Sequence, residues 1–395
     1  MTQWAPIDER ARIGVLDALR ALALLGIFMV NLETFNRPWD TLANGMREGL
    51  AGADVAVAWC IQVLVTGKAW LLFSLLFGIG FALVQQRGVS DAVWKRRTWI
   101  LLVIGLLHGV LLWPGDILRT YALAAFLLLA LRGLPPPRQR DLGLMLYLGI
   151  WAMFAALMAL AGDIELPADD AAAIAGRVYA EGGWVAVTAQ RLRDLSTMLG
   201  SDLMSVPAAL GMFLIGGWLL RSGRIRDADA HLRWHRLMAG VALPAGLLAS
   251  VAIVSTVGLN VTQAGGFGRW MLALALLQVA ALPTALGMLS LVVLAWRRPR
   301  WRGALDRLAP AGRMALTHYL MQSLVASTLF YGYGLGQFGQ WGPAMLLALA
   351  VVVFALQVLA SHWWLARFRF GPVEWLWRWW TYGHRPPLRR MPVDA

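Results

Sequence analysis

Cysteine is almost absent: Cys60 is the only one in 395 residues. A single thiol excludes an intramolecular disulfide and any cysteine-built metal site. Charge is scarce as well. Asp, Glu, Lys and Arg make up 14% of the chain, where soluble domains average ~25%. Acids are scarcer than bases, 22 against 35. No metal-ligand spacing, phosphate loop, nucleophile elbow or dinucleotide fingerprint is found, and no internal repeat is visible. Gly78-Ile79-Gly80 reads as a packing pair inside an apolar run, not as a nucleotide loop. The first apolar run is too long, and too charged, for a cleavable signal peptide.

What fills the chain instead is apolar sequence, 59% of it, with 21 tryptophans, many near the ends of apolar runs as in an interfacial aromatic belt. The fold class is therefore an all-α polytopic membrane protein. A span needs ~17–25 apolar residues. Ten stretches qualify: 13–35, 67–86, 98–114, 117–132, 142–161, 203–221, 236–258, 270–295, 313–333 and 343–366. The apolar segment 51–65 reads as a lead-in helix at the outer surface; an eleventh span there would invert everything after it. The long outer loop 162–201 carries Asp163, Glu165, Asp169, Asp170, Glu181 and Asp194 and is expected to form surface helices.

The chain divides into three regions: an N-terminal transmembrane half at 1–140, middle spans with the long outer loop at 141–235, and a C-terminal transmembrane region at 236–395. The net charge of +13 suggests nucleic acid, but the placement of the arginines rejects that partner. With the N-terminus inside, 26 of the 35 Lys and Arg fall on inner segments, from Arg10 and Arg12 to Arg389 and Arg390. Every loop then obeys the positive-inside rule, and both termini are cytoplasmic. The expected location is a bacterial inner membrane, with the bilayer as partner and homo-oligomerisation left open.

The chemistry must come from polar residues inside the spans. Such residues cost at least ~2.5–3.5 kcal/mol each on insertion scales, so they face a bundle interior or a wet cavity. Asp17 and Arg20 share a helix face three residues apart; they form either a lock between helices or part of a functional stripe. Asn31, about three turns further at ~3.6 residues per turn, extends that stripe.

The strongest constellation is Gly105-Leu106-Leu107-His108, then Pro114-Gly115-Asp116, then Arg119 and Tyr121. Pro114-Gly115 should break the helix, and Asp116 could fold back to orient the His108 ring for proton transfer. The plainer alternative is a neutral His108 on backbone, with Asp116 as a helix N-cap. In the ninth span His318 and Gln322 share a face at i, i+4 and are placed in the inner leaflet, where they serve the site or simply bond between helices. Gln357 and His362 read as interhelical bonding groups, and His231, His235 and His384 as solvated. The aromatic tail 370–383 is an amphipathic strip, either a membrane-surface anchor or part of the mouth of a cytoplasmic cleft in which Glu374 and Arg378 pair against Asp17 and Arg20.

These residues carry a resemblance. Leu16-Asp17 to Arg20 and on to Gly26 and Asn31, Leu72-Phe73-Ser74 to Phe77-Gly78 and Gly80, and Leu107-His108 to Asp116 and Tyr121 resemble the YeiB-like bacterial inner-membrane proteins of unknown function. So do Gly312-Arg313 through Gln322-Ser323, Phe330-Tyr331-Gly332 and Gly371-Pro372-Val373-Glu374 through Arg378. The likeness covers nearly the whole chain.

The N-terminal motif is also similar to the heparan-α-glucosaminide N-acetyltransferases, which carry acetyl groups from cytosolic acetyl-CoA to amino sugars across a membrane. Asn31 matches a functional asparagine of that group. The group's histidine has no counterpart, because 32–49 contains none; His108 would serve from another helix.

The resemblance thus implies an acyltransferase with an acyl-CoA donor, no metal, and an extracytoplasmic sugar, amine or lipid acceptor. His108 would be general base or acyl carrier, Asp116 its orienting group and Asn31 an oxyanion or acceptor contact. Asp17, Arg20, His318 and Glu374 would guard the donor's inner mouth, with Arg119, Tyr121, Gln322 and Arg378 beside it. The rival is a transporter or exporter of a small metabolite or lipid using the same residues.

Overall fold

A computed structural model describes residues 13–162 and 170–390. Arg10 and Arg12 of the orientation argument, and Asp163, Glu165 and Asp169 of the long loop, lie outside the described residues. Within them the chain is helical: α1 Gly14–Phe35, α2 Trp39–Leu42, α3 Ala53–Leu64, α4 Lys68–Gln85, α5 Asp91–Leu111, α6 Ile117–Ala130, α7 Pro136–Ala161, α8 Asp170–Glu181 and α9 Trp184–Arg221. Next come α10 Leu232–Leu237, a π-helical turn Met238–Ala242, α11 Leu243–Val257, α12 Val261–Ala264, α13 Phe267–Trp296, α14 Pro299–Arg313, α15 Ala315–Phe330, α16 Pro343–Arg367 and α17 Pro372–Tyr382. Strands are absent among the described residues, where only two isolated bridges occur. This is an all-α membrane protein.

Seven helical stretches are long and apolar enough to cross a bilayer: 14–35, 53–85, 136–161, 200–221, 232–257, 267–296 and 343–367. Three further spans expected from sequence coincide with α5, α6 and α15. α6 and α15 have only 14 and 16 residues, and α5 opens on a charged turn with Asp91, Lys95, Arg96 and Arg97. α3 has 12 residues, ~18 Å at 1.5 Å each, too short to cross alone. The long outer loop does form helices: α8, and the first half of α9, which runs without interruption into the span beyond it.

α1 lies at the centre, packed against α4, α13, α14, α15 and α16. Its buried Val15, Leu16, Leu19 and Ala23 join Leu71, Leu75 and Ile79 of α4 and Met212 and Ile215 of α9 in the largest apolar cluster. Close crossings depend on missing side chains. A Cβ on Gly78 would stand 2.1 Å from the Phe213 carbonyl of α9, whereas one on Gly80 meets nothing within 4 Å. Only the first glycine of the expected packing pair is used for packing; Gly80 opens onto a cavity.

Two faces emerge. Arg87, Arg97, Arg313, Arg369 and Arg378 converge at one end. At the other, Arg47 bonds Gly339 and Trp341, and Arg191 reaches Leu111 and Tyr333.

Candidate functional site

α5 ends at Leu111, where the Leu112 and Trp113 amides close on the His108 carbonyl. Arg191 donates to the Leu111 carbonyl at 2.7 Å, placing a cation at the negative end of the helix. The chain turns through Pro114 and Gly115 and re-enters as α6. Asp116 caps α6, its Oδ2 accepting from the Arg119 amide at 2.9 Å. Its other oxygen, Oδ1, lies 2.9 Å from His108 Nδ1. The two roles that sequence leaves as alternatives, cap and histidine partner, are thus held by the two oxygens of one carboxylate. Both side chains are essentially sealed from solvent, at 1% and 0% exposure.

Gly105 makes this possible. A Cβ there would sit 2.6 Å from the Arg119 nitrogen and 2.7 Å from Asp116 Oδ2. With Nδ1–H given to the carboxylate, Nε2 carries the lone pair. That nitrogen is buried and has no hydrogen-bond partner among the described residues.

The pair belongs to a buried polar seam. Tyr319 of α15 donates to Asp116 Oδ1 at 3.1 Å and accepts from the Ile117 amide at 3.3 Å. Arg119 bonds Asp202 of α9 at 2.8 Å, and Thr120 donates to the same carboxylate at 2.7 Å. Arg119, expected beside the donor's inner mouth, is instead held in this buried ion pair and does not line the cavity onto which Gly80 opens.

A cavity of about 410 Å³ opens at the basic face. Its rim holds Arg20, Arg87, Arg97, Arg313, Arg369 and Arg378, with Asp17 and Glu374 the only acids on it among the described residues. Asp17 pairs with Arg20 on the α1 surface. Arg87, Arg97, Arg369 and Arg378 form no ion pair within the described residues. Arg97 lies 3.6 Å from the Trp377 ring centre and Arg378 4.7 Å from that of Phe370. Arg378 is pushed below the usual guanidinium range by burial. The walls are apolar, with Phe73 to Val84 lining ~16 Å of α4 at 1.5 Å per residue. Tyr121 and Tyr319 also line it, Tyr121 bonded to Ser74 at 2.6 Å.

Several expected groupings do not form. Glu374 shares the cavity with Asp17 and Arg20 but pairs with neither. It caps α15, accepting from the Leu316 and Thr317 amides at 2.8 and 3.0 Å and from the Thr317 hydroxyl at 2.5 Å. Burial nonetheless raises its carboxyl above the ordinary range. His318 and Gln322 do not reach the cavity. On α15 the face carrying Leu316 and Tyr319 looks into it, and the face carrying His318 and Gln322 turns to α16. There His318 meets Ser361 at 2.6 Å and Gln322 meets Gln357 at 2.9 Å. His235 is fully buried between Ser290 and the Arg224 carbonyl, not solvated, and His384 stands on the cavity rim.

Asn31 does not hydrogen-bond His108 or Asp116, but one turn inward Ile27 packs with Leu101, Leu118 and Tyr319. The next turn carries Asn31 outward past that layer, half-buried and with no side-chain hydrogen bond among the described residues. Two members of the seam carry no signal in the sequence: Tyr319, next to the more conspicuous His318, and Asp202, a lone acid at the start of a span.

Known proteins place the chain. Residues 219–384 match a family described as protein of unknown function DUF418. The chain is 31% identical to an uncharacterised protein YxaH of Bacillus subtilis over 99% of both chains. It is 32% identical to an uncharacterised protein YeiB of Escherichia coli, over 92% of this chain and 94% of that one. No solved structure matches. The chain belongs to the YeiB-like family of membrane proteins of unknown function.

Proposed function

We propose that this protein is an inner-membrane acyltransferase that takes an acyl group from a cytoplasmic acyl-CoA and passes it, through His108, to an acceptor on the other side. The arginine bias supports a cytoplasmic basic face. One observation carries the reading: an amphipathic cavity, arginines at its rim and apolar walls within, is lined by Tyr319, whose hydroxyl bonds the carboxylate of the His108–Asp116 pair. Four guanidiniums without ion-pair partners suit the phosphates of a coenzyme. The apolar walls suit the slender arm that joins those phosphates to the thioester.

In the reaction, His108 Nε2 attacks the thioester carbonyl. A C–N bond forms, the C–S bond breaks and the thiolate leaves. Asp116 holds the ring and balances its positive charge. The acceptor's hydroxyl or amine then attacks the carbonyl carbon of the acyl group carried on the ring. The new C–O or C–N bond replaces the ring bond, and the acceptor proton leaves by way of Nε2 to the thiolate. Asn31, at the outer side of the same layer with a free amide, is suited to the oxyanion or the acceptor. Arginines meeting an anion would equally suit an exporter of an anionic metabolite or lipid, and the same experiment separates the two.

The test is mass spectrometry of small molecules retained on the purified protein, then acyl transfer from the retained donor in detergent. A bound CoA thioester and a loss of at least ~10²-fold on His108→Ala, with melting temperature unchanged, are expected. A fully active, stably folded His108→Ala protein would end this assignment, and a retained lipid or metabolite with no thioester would favour export.

A further inference from the structure

The donor cavity and His108 do not touch. The cavity wall includes Tyr319, Ile117 and Leu118, but neither His108 nor Asp116. Tyr319 is what stands between. Its ring centre is 5.1 Å from that of His108, so the two are in contact on one side, while its other side faces the cavity. A thioester at the cavity tip therefore cannot reach Nε2 while Tyr319 stays where it is.

The Tyr319 hydroxyl makes two hydrogen bonds, to Asp116 at 3.1 Å and from Ile117 at 3.3 Å. The side chain belongs to an apolar cluster with Leu24, Ile27, Ala69, Leu101, Leu118 and Ala122. Displacing it breaks two hydrogen bonds, while Asp116 keeps both His108 and its cap to Arg119.

We propose that Tyr319 is a swinging partition, a positioning residue that seals His108 from the donor cavity at rest and admits the donor when displaced. This rests on the acyl-transfer reading. In that chemistry a seal has a purpose: water kept from an acylated imidazole cannot hydrolyse it, and the two compartments are never joined except through the ring.

The test needs no transfer activity. Cys60, which is exposed, is replaced by serine and His108→Cys supplies one buried thiol. An anionic methanethiosulfonate reagent, drawn by the arginine rim, is added to membrane vesicles of both orientations. The informative orientation is the one in which a rim marker, Arg87→Cys, is labelled.

The thiol is expected to be protected with Tyr319 present, protected equally in Tyr319→Phe, which keeps the ring, and labelled at least tenfold faster in Tyr319→Ala. Leu24→Ala, which loosens the same apolar cluster but does not line the cavity, should leave it protected; a merely structural role for Tyr319 would make both alanine variants behave alike. Equal labelling with and without the ring overturns the proposal, as does equal gain in Leu24→Ala. If His108→Cys does not fold, carbethoxylation of the native His108, read on its peptide by mass spectrometry, gives the same comparison. Failure here with His108→Ala still inactive in transfer would remove the partition and leave the acyltransferase.

Discussion

At the residue scale Asp116 is the informative position, because its two oxygens do separable things. Asp116→Asn keeps an oxygen for the Arg119 amide, and asparagine caps helices about as well as aspartate. It removes the charge that holds and balances His108. Asp116→Ala removes both. Thermal unfolding should therefore show Asp116→Asn close to wild type and Asp116→Ala weaker by a further ~1 kcal/mol, the usual worth of a cap. Transfer activity should fall by ~10²-fold or more in both variants. Equal stability losses with activity retained in Asp116→Asn would mean that the cap is the residue's whole role.

The His108–Asp116 partnership is legible in sequence, because a Pro-Gly break shortly after an intramembrane histidine can bring a carboxylate back to it. The Tyr319 contact is not. It spans 203 residues of chain, and no local spacing encodes a pairing that long.

At the element scale the site depends on how closely α5 approaches the first turn of α6. Gly105→Ala would thrust a methyl to 2.6 Å from the Arg119 nitrogen and 2.7 Å from Asp116 Oδ2, backbone and a fixed cap that cannot retreat as a flexible side chain could. The cost should be ~1–3 kcal/mol of overpacking, together with a lengthened His108–Asp116 contact. Gly80→Ala is the control, with open space around its added methyl. Differential scanning of the two purified variants checks this; a drop in Gly80→Ala as large as in Gly105→Ala would refute it.

Apolar runs locate the helices well, but they do not give rotation about the axis. α15 carries polar groups on both faces, so nothing in its sequence says that Tyr319 rather than His318 looks into the cavity. The same ambiguity hides the role of Glu374. A carboxylate among tryptophans reads as half of an ion pair until the uncapped amides of another helix are seen beside it.

At the scale of the whole molecule, the arginines that set orientation in the bilayer also furnish the rim of the cavity. Reporter fusions placed after Gly88, Gly133, Arg226 and Arg298 should give cytoplasmic signals, and fusions after Gly45 and Gly162 external ones. An external signal at Gly88 or Arg298 would invert the side proposed for the donor and with it the direction of the proposed transfer. The membrane class and the alternation of basic loops are plain from composition. The cavity is not, because its rim gathers residues from α1, α4, α5, α14 and the C-terminal segment, each ordinary in its own stretch of sequence.

The cap that Glu374 places on α15 has a consequence in time. The amides of Leu316 and Thr317 are made 58 and 57 residues before their acceptor. At ~5–20 residues per second, they wait several seconds during synthesis with α15 already in the bilayer. Until α17 emerges and folds back, the first turn of α15 is open, and the wall that Trp377 and Arg378 will form does not exist. A ribosome stalled before residue 371 would leave a chain with its membrane helices made and its cavity unfinished. The wall is completed only when α17 has folded back, so a copy stopped there lacks the cavity altogether.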